Sequence, residues 1–287
     1  MIKVAVTGAS GFIGTELIKY ISSKNNCKII AIYHKTKPKI IKKKTIEYKK
    51  INLKYKYKNF YKLLDSPDIL IHLAWSNLED YKSKSHLSIT EPFHYYFLNN
   101  IIKNGLKNLF CAGTCFEYGK IEGALFENMK TKPDNNYGKS KIVLLKKLIK
   151  LKKNHKFNFV WGRFFYIYGK TQKNTIYSQL LKSINKKAKI FKMSKGLQKR
   201  DYLPVSKLIE YIFLLSFYKK DFGVVNICSG KPVYMRSLVK KWIKELDSKI
   251  TIDCNFYPYN DYEAMEFWGS NNKLKKAIRS LKIKKNI

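Results

Sequence analysis

The sequence predicts an α/β chain: a doubly wound parallel sheet, with a smaller C-terminal portion interleaved with it. Three observations carry that expectation. A short apolar strand runs into a glycine-rich turn at the start of the sequence. Strand-like and helix-like segments alternate from there to about residue 169. Beyond it the loops are longer and more polar and the alternation is less regular. At 287 residues there is room for one large domain, or a domain and a half.

Residues 2–6 form the first apolar run, and the turn spans 8–14. Residues 12–22 carry Leu17, Ile18 and Ile21 at helical spacing. A β-rich run at 28–33 completes a βαβ unit within about thirty residues. Residues 68–74, 108–113 and 157–164 read as further buried strands, and 93–104 and 136–152 as helices. The division expected is 1–168 for a dinucleotide-type domain and 169–287 for a substrate-binding portion. A segment near 201–228 is expected to return to the main domain, with 223–228 as a strand of its sheet.

Composition narrows the function classes. Hydrophobic residues make up 45% of the chain, which excludes wholesale disorder. Lysine and arginine total 58 against 20 acidic residues, a formal charge of +38. Such a charge first suggests nucleic acid or an anionic membrane. The basic residues are almost all lysine, however, and are spread over the whole chain, so a solvated lysine surface is the expectation, with no nucleic-acid partner. No apolar stretch is long enough to span a bilayer. The five cysteines, at 27, 111, 115, 228 and 254, form no CxxC pair and have no matching downstream ligand pair. No metal site is expected, and scattered thiols with no visible signal peptide fit a reducing cytoplasm.

The turn reads Thr7-Gly8-Ala9-Ser10-Gly11-Phe12-Ile13-Gly14. Its glycines have distinct tasks: Gly8 for the tight turn, Gly11 for close approach of a pyrophosphate to the helix N-terminus, Gly14 for helix packing against the sheet. This is the Rossmann arrangement, and its cofactor-binding candidates are Gly8, Ser10, Gly11, Phe12, Ile13 and Gly14. The TGxxGxxG string resembles that of the extended short-chain dehydrogenase/reductase family, rich in nucleotide-sugar epimerases, dehydratases and reductases. In NAD-binding members an acidic residue ends the second strand and holds the adenosine ribose. Here that place holds Tyr33, His34, Lys35 and Thr36, with Lys37 following. Cations at His34 and Lys35 suit a 2′-phosphate, so NADP(H) is favoured over NAD(H). His72-Leu73-Ala74 matches the family's strand end beside the cofactor, which adds Leu73 and Ala74 to the candidates. The family's next alanine is Trp75 here, and His72 is given no chemistry.

A YxxxK pair puts both side chains on one helix face. Twenty-one tyrosines in so lysine-rich a chain give roughly four such pairs by chance. Four occur, beginning at Tyr20, Tyr33, Tyr137 and Tyr166, so context must choose. Tyr137-Gly138-Lys139-Ser140-Lys141 follows a loop, opens a long helix and has the YGxSK form common in the family. The catalytic candidates are therefore Tyr137 and Lys141, with Thr114, which stands four residues before Tyr118-Gly119 as the family's hydroxyl does. The resemblance implies that Lys141 holds the cofactor ribose and lowers the Tyr137 pKa toward neutrality. Family dehydratases carry an Asp-Glu pair directly after the threonine. Cys115 and Phe116 stand there instead, which weakens that reading.

Residues 162–169 resemble the family's RxxNxYG segment, with Arg163 in register and Tyr166 in the asparagine position. Residues 199–205 resemble its RDfvhV segment, whose arginine, here Arg200, grips the diphosphate. With residues 262–269, these segments look like the branch that reduces nucleotide-linked 4-keto-6-deoxyhexoses, which includes abequose synthase and fucose-type 4-ketoreductases. The substrate-binding candidates are Thr114, Cys115, Tyr166, Arg200, Glu263 and Trp268. The resemblance implies a homodimer acting on a nucleotide-diphosphate sugar in deoxysugar synthesis for surface polysaccharide such as lipopolysaccharide. An epimerase with tightly held NAD is the alternative, because the same triad serves it. A nucleotide-binding sensor or scaffold, with the lysine surface binding RNA or anionic lipid, is a third reading, opposed by the intact triad.

Overall fold

A computed structural model describes residues 1–24, 27–38, 41, 43–258 and 264–283. The side chains of the last two are left aside. The strands are β1 (Ile2–Thr7), β2 (Cys27–Tyr33), β3 (Ile46–Lys50), β4 (Ile69–His72), β5 (Asn108–Thr114), β6 (Gly123–Leu125) and β7 (Asn158–Phe164). They continue with β8 (Tyr166–Tyr168), β9 (Ile190–Lys192), β10 (Lys199–Pro204), β11 (Gly223–Ile227), β12 (Pro232–Tyr234), β13 (Thr251–Asp253) and β14 (Phe267–Gly269). The helices are α1 (Phe12–Ser22), α2 (Phe60–Leu63), α3 (Glu91–Lys103), α4 (Asn136–Asn154), α5 (Ile176–Asn185), α6 (Val205–Phe217), α7 (Met235–Glu245) and α8 (Asn272–Ile283).

Seven strands form one sheet in the order β11-β7-β5-β4-β1-β2-β3, with every neighbouring pair parallel. The order in which strands are added to the sheet reverses between β1 and β4, and ligands of such sheets bind in the crevice outside the carboxyl ends of the strands there. The sheet's side chains alternate between two dry layers, as a pleated strand requires. Val4, Val6, Ile29, Ile69, Ile71, Phe110 and Val160 face α1 and α6. Ala5, Ile30, Ile32, Leu70, Leu109, Cys111, Phe159 and Trp161 face the layer of α3 and α4. Both faces being covered explains why these strands read as continuous apolar runs.

The later part of the chain holds smaller sheets. β10 lies between β8 and β12, β9 pairs with β13, and β6 with β14. Tyr177, Leu180, Phe191, Met193, Leu238, Val239 and Trp242 make a separate core there. β11 lies in the main sheet against β7, and α6 packs on α1. Asp201, fully buried, sews the two regions together. Its carboxylate accepts from the Ser229 amide (2.7 Å) and hydroxyl (2.6 Å) and from the amides of Gly230 (2.9 Å) and Gly269 (3.4 Å). No helix among the described residues is long and apolar enough to cross a membrane.

Candidate active site

The glycine turn sits at the carboxyl end of β1, beside the switch point. Gly8 has φ +74°, and a Cβ there would press on the Leu73–Ala74 backbone at 3.0–3.1 Å. At Gly14 a Cβ would lie 2.1 Å from the Gly8 carbonyl oxygen, so only glycine lets α1 start this close to the turn. Gly11 is the N-cap of α1 and makes no side-chain cap; a Cβ on it would meet only the Gly8 oxygen, at 3.2 Å. The helix therefore presents the amides of Phe12 and Ile13 without a capping side chain, which fits the pyrophosphate of a dinucleotide. The half-buried Phe12 ring lies against Gly169 and Val205, tying the turn to the later part of the chain. The neighbouring Ser10 is half-buried too.

At the ends of β2 and β3 the surface is basic. His34 and Lys35 are exposed. Lys35 shares a cavity of about 510 Å³ with Lys54, Trp75, Ser76, Asn77 and Thr90. The sequence reading missed Lys54, which one lysine among so many gave no reason to single out. Leu73 and Ala74 follow β4, and the Ala74 amide donates to Thr7 Oγ1 at 3.3 Å. The same hydroxyl is 2.8 Å from His72 Nδ1, and His72 Nε2 is 2.9 Å from His94 Nδ1. Burial holds both imidazoles neutral, His72 down to about 3, with the Lys141 charge acting in the same direction. These histidines are structural in position, behind the site.

Thr114, Tyr137 and Lys141 come together at the carboxyl end of β5. The Thr114 hydroxyl lies near enough to the Tyr137 phenol to favour its ionised form. Thr114 also caps the single turn Cys115–Glu117, accepting from the Phe116 amide at 3.3 Å. The start of α4 is pressed onto that turn: a Cβ at Gly138 would lie 2.5 Å from the Phe116 oxygen. This is the physical reason for glycine after the tyrosine. Asn135 caps α4 by accepting from the Gly138 amide at 2.8 Å, and the Ser140 hydroxyl donates to the Tyr137 carbonyl at 2.8 Å. Cys115 is buried beneath, with Cys228 in the same cluster.

Glu117 is completely buried, and both of its carboxylate oxygens accept hydrogen bonds within the protein. Oε2 accepts from Arg163 Nε at 2.6 Å, and Oε1 accepts from the Trp161 indole at 2.8 Å and the Thr114 amide at 2.9 Å. The ion pair braces the backbone carrying Thr114, and three of the roughly four acceptor sites of this carboxylate are taken within the protein.

The expected lowering of the Tyr137 pKa is not found in the chain alone. Burial is the leading effect and pushes the phenol upward, with Tyr81 and Glu117 adding to it; the Thr114 hydroxyl opposes. Lys141 donates to the Ala112 carbonyl at 2.8 Å and lies 3.7 Å from the centre of the Trp75 ring, against 5.7 Å for the Tyr137 ring. Burial draws Lys141 down to about 8. Aromatic rings wall Tyr137: Tyr81 stacks on it at 5.3 Å, His86 is at 5.4 Å and Trp75 at 6.1 Å. The Tyr137 amide donates to the Tyr81 carbonyl. These wall residues come from the excursion between β4 and α3. Only Trp75 left a sequence signal, as a departure from the family pattern.

The sheet register leads from Thr114 to the substrate candidates. Thr114 stands opposite Phe164, two residues before Tyr166, which stands opposite Tyr202, two residues after Arg200. Tyr166 stacks on Tyr202 at 5.2 Å. Arg200, 4% exposed, donates Nη1 to the carbonyls of Lys199 (2.9 Å) and Met265 (3.0 Å) and lies 4.7 Å from the Phe267 ring. Trp268, half-buried on β14, points to the opposite side from Phe267. Glu263 lies outside the described residues.

A pyrophosphate-ready helix end at the switch point, with a threonine–tyrosine pair and a buried lysine one strand further on, defines a nicotinamide-dinucleotide oxidoreductase of the short-chain class. Residues 4–228 match the model of the NAD dependent epimerase/dehydratase family, and the chain belongs to that family. It is 29% identical over 270 residues to dTDP-6-deoxy-L-talose 4-dehydrogenase (NAD(+)) of Aggregatibacter actinomycetemcomitans, covering 93% of this chain and 99% of the relative. It is 23% identical over 265 residues to dTDP-4-dehydro-6-deoxyglucose reductase of Escherichia coli, covering 87% and 83%. The UDP-N-acetylglucosamine 4-epimerase of Methanobrevibacter ruminantium M1 shares the fold, with a TM-score of 0.84 at 18% identity over 96% of this chain and 91% of that one. The two relatives fit the 4-keto-6-deoxyhexose branch that the sequence resembles.

Proposed function

We propose that the chain interconverts the keto and hydroxyl states at C4 of a nucleotide-diphosphate 6-deoxyhexose, running as a reductase with NADPH. The observation that carries this reading is the closeness of the Thr114 hydroxyl to the Tyr137 phenol, with the buried Lys141 ammonium 5.7 Å from the tyrosine ring, at the strand end next to the dinucleotide turn. The dTDP-sugar activities in the names of the two relatives, both at the 4-position, support the substrate class. Bound at the turn, the nicotinamide dinucleotide supplies or accepts the hydride. The chain's own residues handle the oxygen. Tyr137 gives its phenolic proton to the alkoxide forming at C4, and Thr114 holds that oxygen by a hydrogen bond. Lys141 holds the cofactor ribose and favours the tyrosinate left behind. The turn residues Gly8 to Gly14, with Leu73 and Ala74, cradle the dinucleotide. Tyr166, Arg200 and Trp268 line the sugar-nucleotide side, with Cys115 beneath it; Glu263, outside the described residues, is kept as a substrate-binding candidate from the sequence.

The preference for NADPH rests on charge. No carboxylate follows β2, and Lys35 and Lys54 face one cavity. NAD is the second reading, favoured by the cofactor in the talose dehydrogenase's name. The five cysteines are free thiols, which supports a reducing, cytoplasmic setting. A homodimer completes the reading, with sedimentation as its check.

The test mixes the protein with NADPH or NADH and 4-keto-6-deoxyhexoses carrying dTDP, CDP, GDP or UDP, and follows loss of reduced-nicotinamide absorbance. Consumption with one sugar nucleotide, faster with NADPH, is expected. Absence of consumption with every pair would favour an epimerase cycle on bound NAD. In Tyr137→Phe, turnover is expected to fall by about 10²–10⁴-fold while dinucleotide affinity is kept; near-normal turnover would remove Tyr137 from the mechanism.

A further inference from the structure

Trp75 stands where the family pattern has a small residue, yet it is among the most heavily engaged side chains of the site. Its indole stacks on His94, with ring centres 4.7 Å apart and planes 6° from parallel. Its Nε1 donates to His86 Nδ1 at 3.2 Å, and His86 Nε2 is 2.9 Å from the Asp80 carbonyl oxygen. The ring is thus held by two histidines from the excursion and α3. The Lys141 ammonium rests 3.7 Å from its centre. Lys141 is 2% exposed, and its ammonium donates to the Ala112 carbonyl. An ammonium so placed has lost most of its water, and no carboxylate forms an ion pair with it among the described residues.

We propose that Trp75 is a positioning residue for Lys141: its ring face takes the place of solvent and keeps the buried ammonium charged until a cofactor ribose replaces it as partner. Attraction between a cation and the face of an indole is strongest when the pair is desolvated. The other groups around Lys141 give it little help. Cys111 on β5 is a thiol that burial pushes up to about 12. His72 at the end of β4 and His94 on α3 are neutral. Tyr137 on α4 is a neutral phenol. Glu117, after β5, favours the Lys141 charge from a distance, but its carboxylate is paired with Arg163. The Trp75 face is therefore a principal stabiliser of the charge, and it holds the ammonium nearer to itself than to the Tyr137 ring. Lys141 serves the reaction only after this contact is exchanged, which makes Trp75 a competitor that the cofactor has to displace.

This inference rests on the proposed role of Lys141 toward the cofactor, and the experiment separates the two. The full chain is labelled with lysine carrying ¹³C at Cε, and NMR follows titration from pH 6 to 11. One resonance should titrate near pH 8, far below the remaining lysines, and be absent from Lys141→Arg. In Trp75→Leu, which keeps apolar bulk without a π face, its midpoint should fall by about one pH unit; in Trp75→Phe, at least half of that fall should be recovered. An unchanged midpoint in Trp75→Leu, or an equal fall in both variants, overturns the proposal. NADPH and NADH are then titrated against the same proteins at several pH values. Weaker binding in Trp75→Leu above its new midpoint, with tighter or equal binding below it, is expected. Should the NMR midpoint move without any matching change in binding, the Trp75–Lys141 pairing stands and the cofactor-holding role of Lys141 falls.

Discussion

Lys141 shows what a reactive side chain costs its fold. In water its ammonium titrates near 10.5, and in the folded chain burial brings that to about 8. Below pH 8 both states are charged, and the folded state carries the full desolvation cost, about 3 kcal/mol from the size of the shift. Between pH 8 and 10.5 the unfolded chain binds more protons than the folded one, so stability from this group rises with pH across that window. Lys141→Met should therefore raise the denaturation midpoint at pH 7, partly offset by loss of the Ala112 and Trp75 contacts, and the gain should fade toward pH 10.5. Turnover in the same variant should be lost. A variant no more stable than the parent at either pH would mean that the ammonium is adequately solvated in place.

At the scale of elements, the site depends on short segments being tied end to end rather than on any one helix. Asp201 on β10 is the clearest tie, since its buried carboxylate accepts four hydrogen bonds from the segment after β11 and from β14. Burial raises its pKa, and those same hydrogen bonds pull the other way. In Asp201→Ala three backbone amides and one hydroxyl lose their acceptor inside the protein. A loss of about 3–5 kcal/mol is expected in urea unfolding, with the KM for the sugar nucleotide raised more than that for the dinucleotide. The second effect follows because β10 and β14 carry Arg200 and Trp268, whereas the glycine turn lies elsewhere. Equal effects on both constants would show that the tie supports the whole molecule. The glycine turn was readable as an element for a related reason: its chemistry is local, set by backbone conformations within seven residues.

At the scale of the whole molecule, +38 formal charges sit on 287 residues. Self-repulsion among lysines destabilises the compact state and is screened by salt. The melting temperature should rise between about 10 mM and 200 mM NaCl, a range over which the Debye length drops from about 30 Å to under 10 Å. A flat or falling profile would mean that the lysines are already balanced by bound anions or local ion pairs.

The alternation of strands and helices over residues 2–33 and 68–164, the glycine turn, and the candidacy of Thr114, Tyr137 and Lys141 were legible in the sequence itself. Each is written in short-range terms: apolar runs of strand length, glycines spaced by three, a tyrosine and lysine one helical turn apart. What only the tertiary structure decided is how the trio is held. Glu117 finds Arg163 across 46 residues of sequence, Lys141 meets Trp75 from another strand end, and Tyr81 covers Tyr137 from a loop without regular periodicity. No spacing rule encodes such meetings, because they arise from which strands lie side by side in the sheet. The direction of the Tyr137 pKa belongs to the same class. A neighbouring cation could be read from the helix, but how deeply the phenol is buried, and which way that cation turns, depend on the packing of segments far apart in the chain.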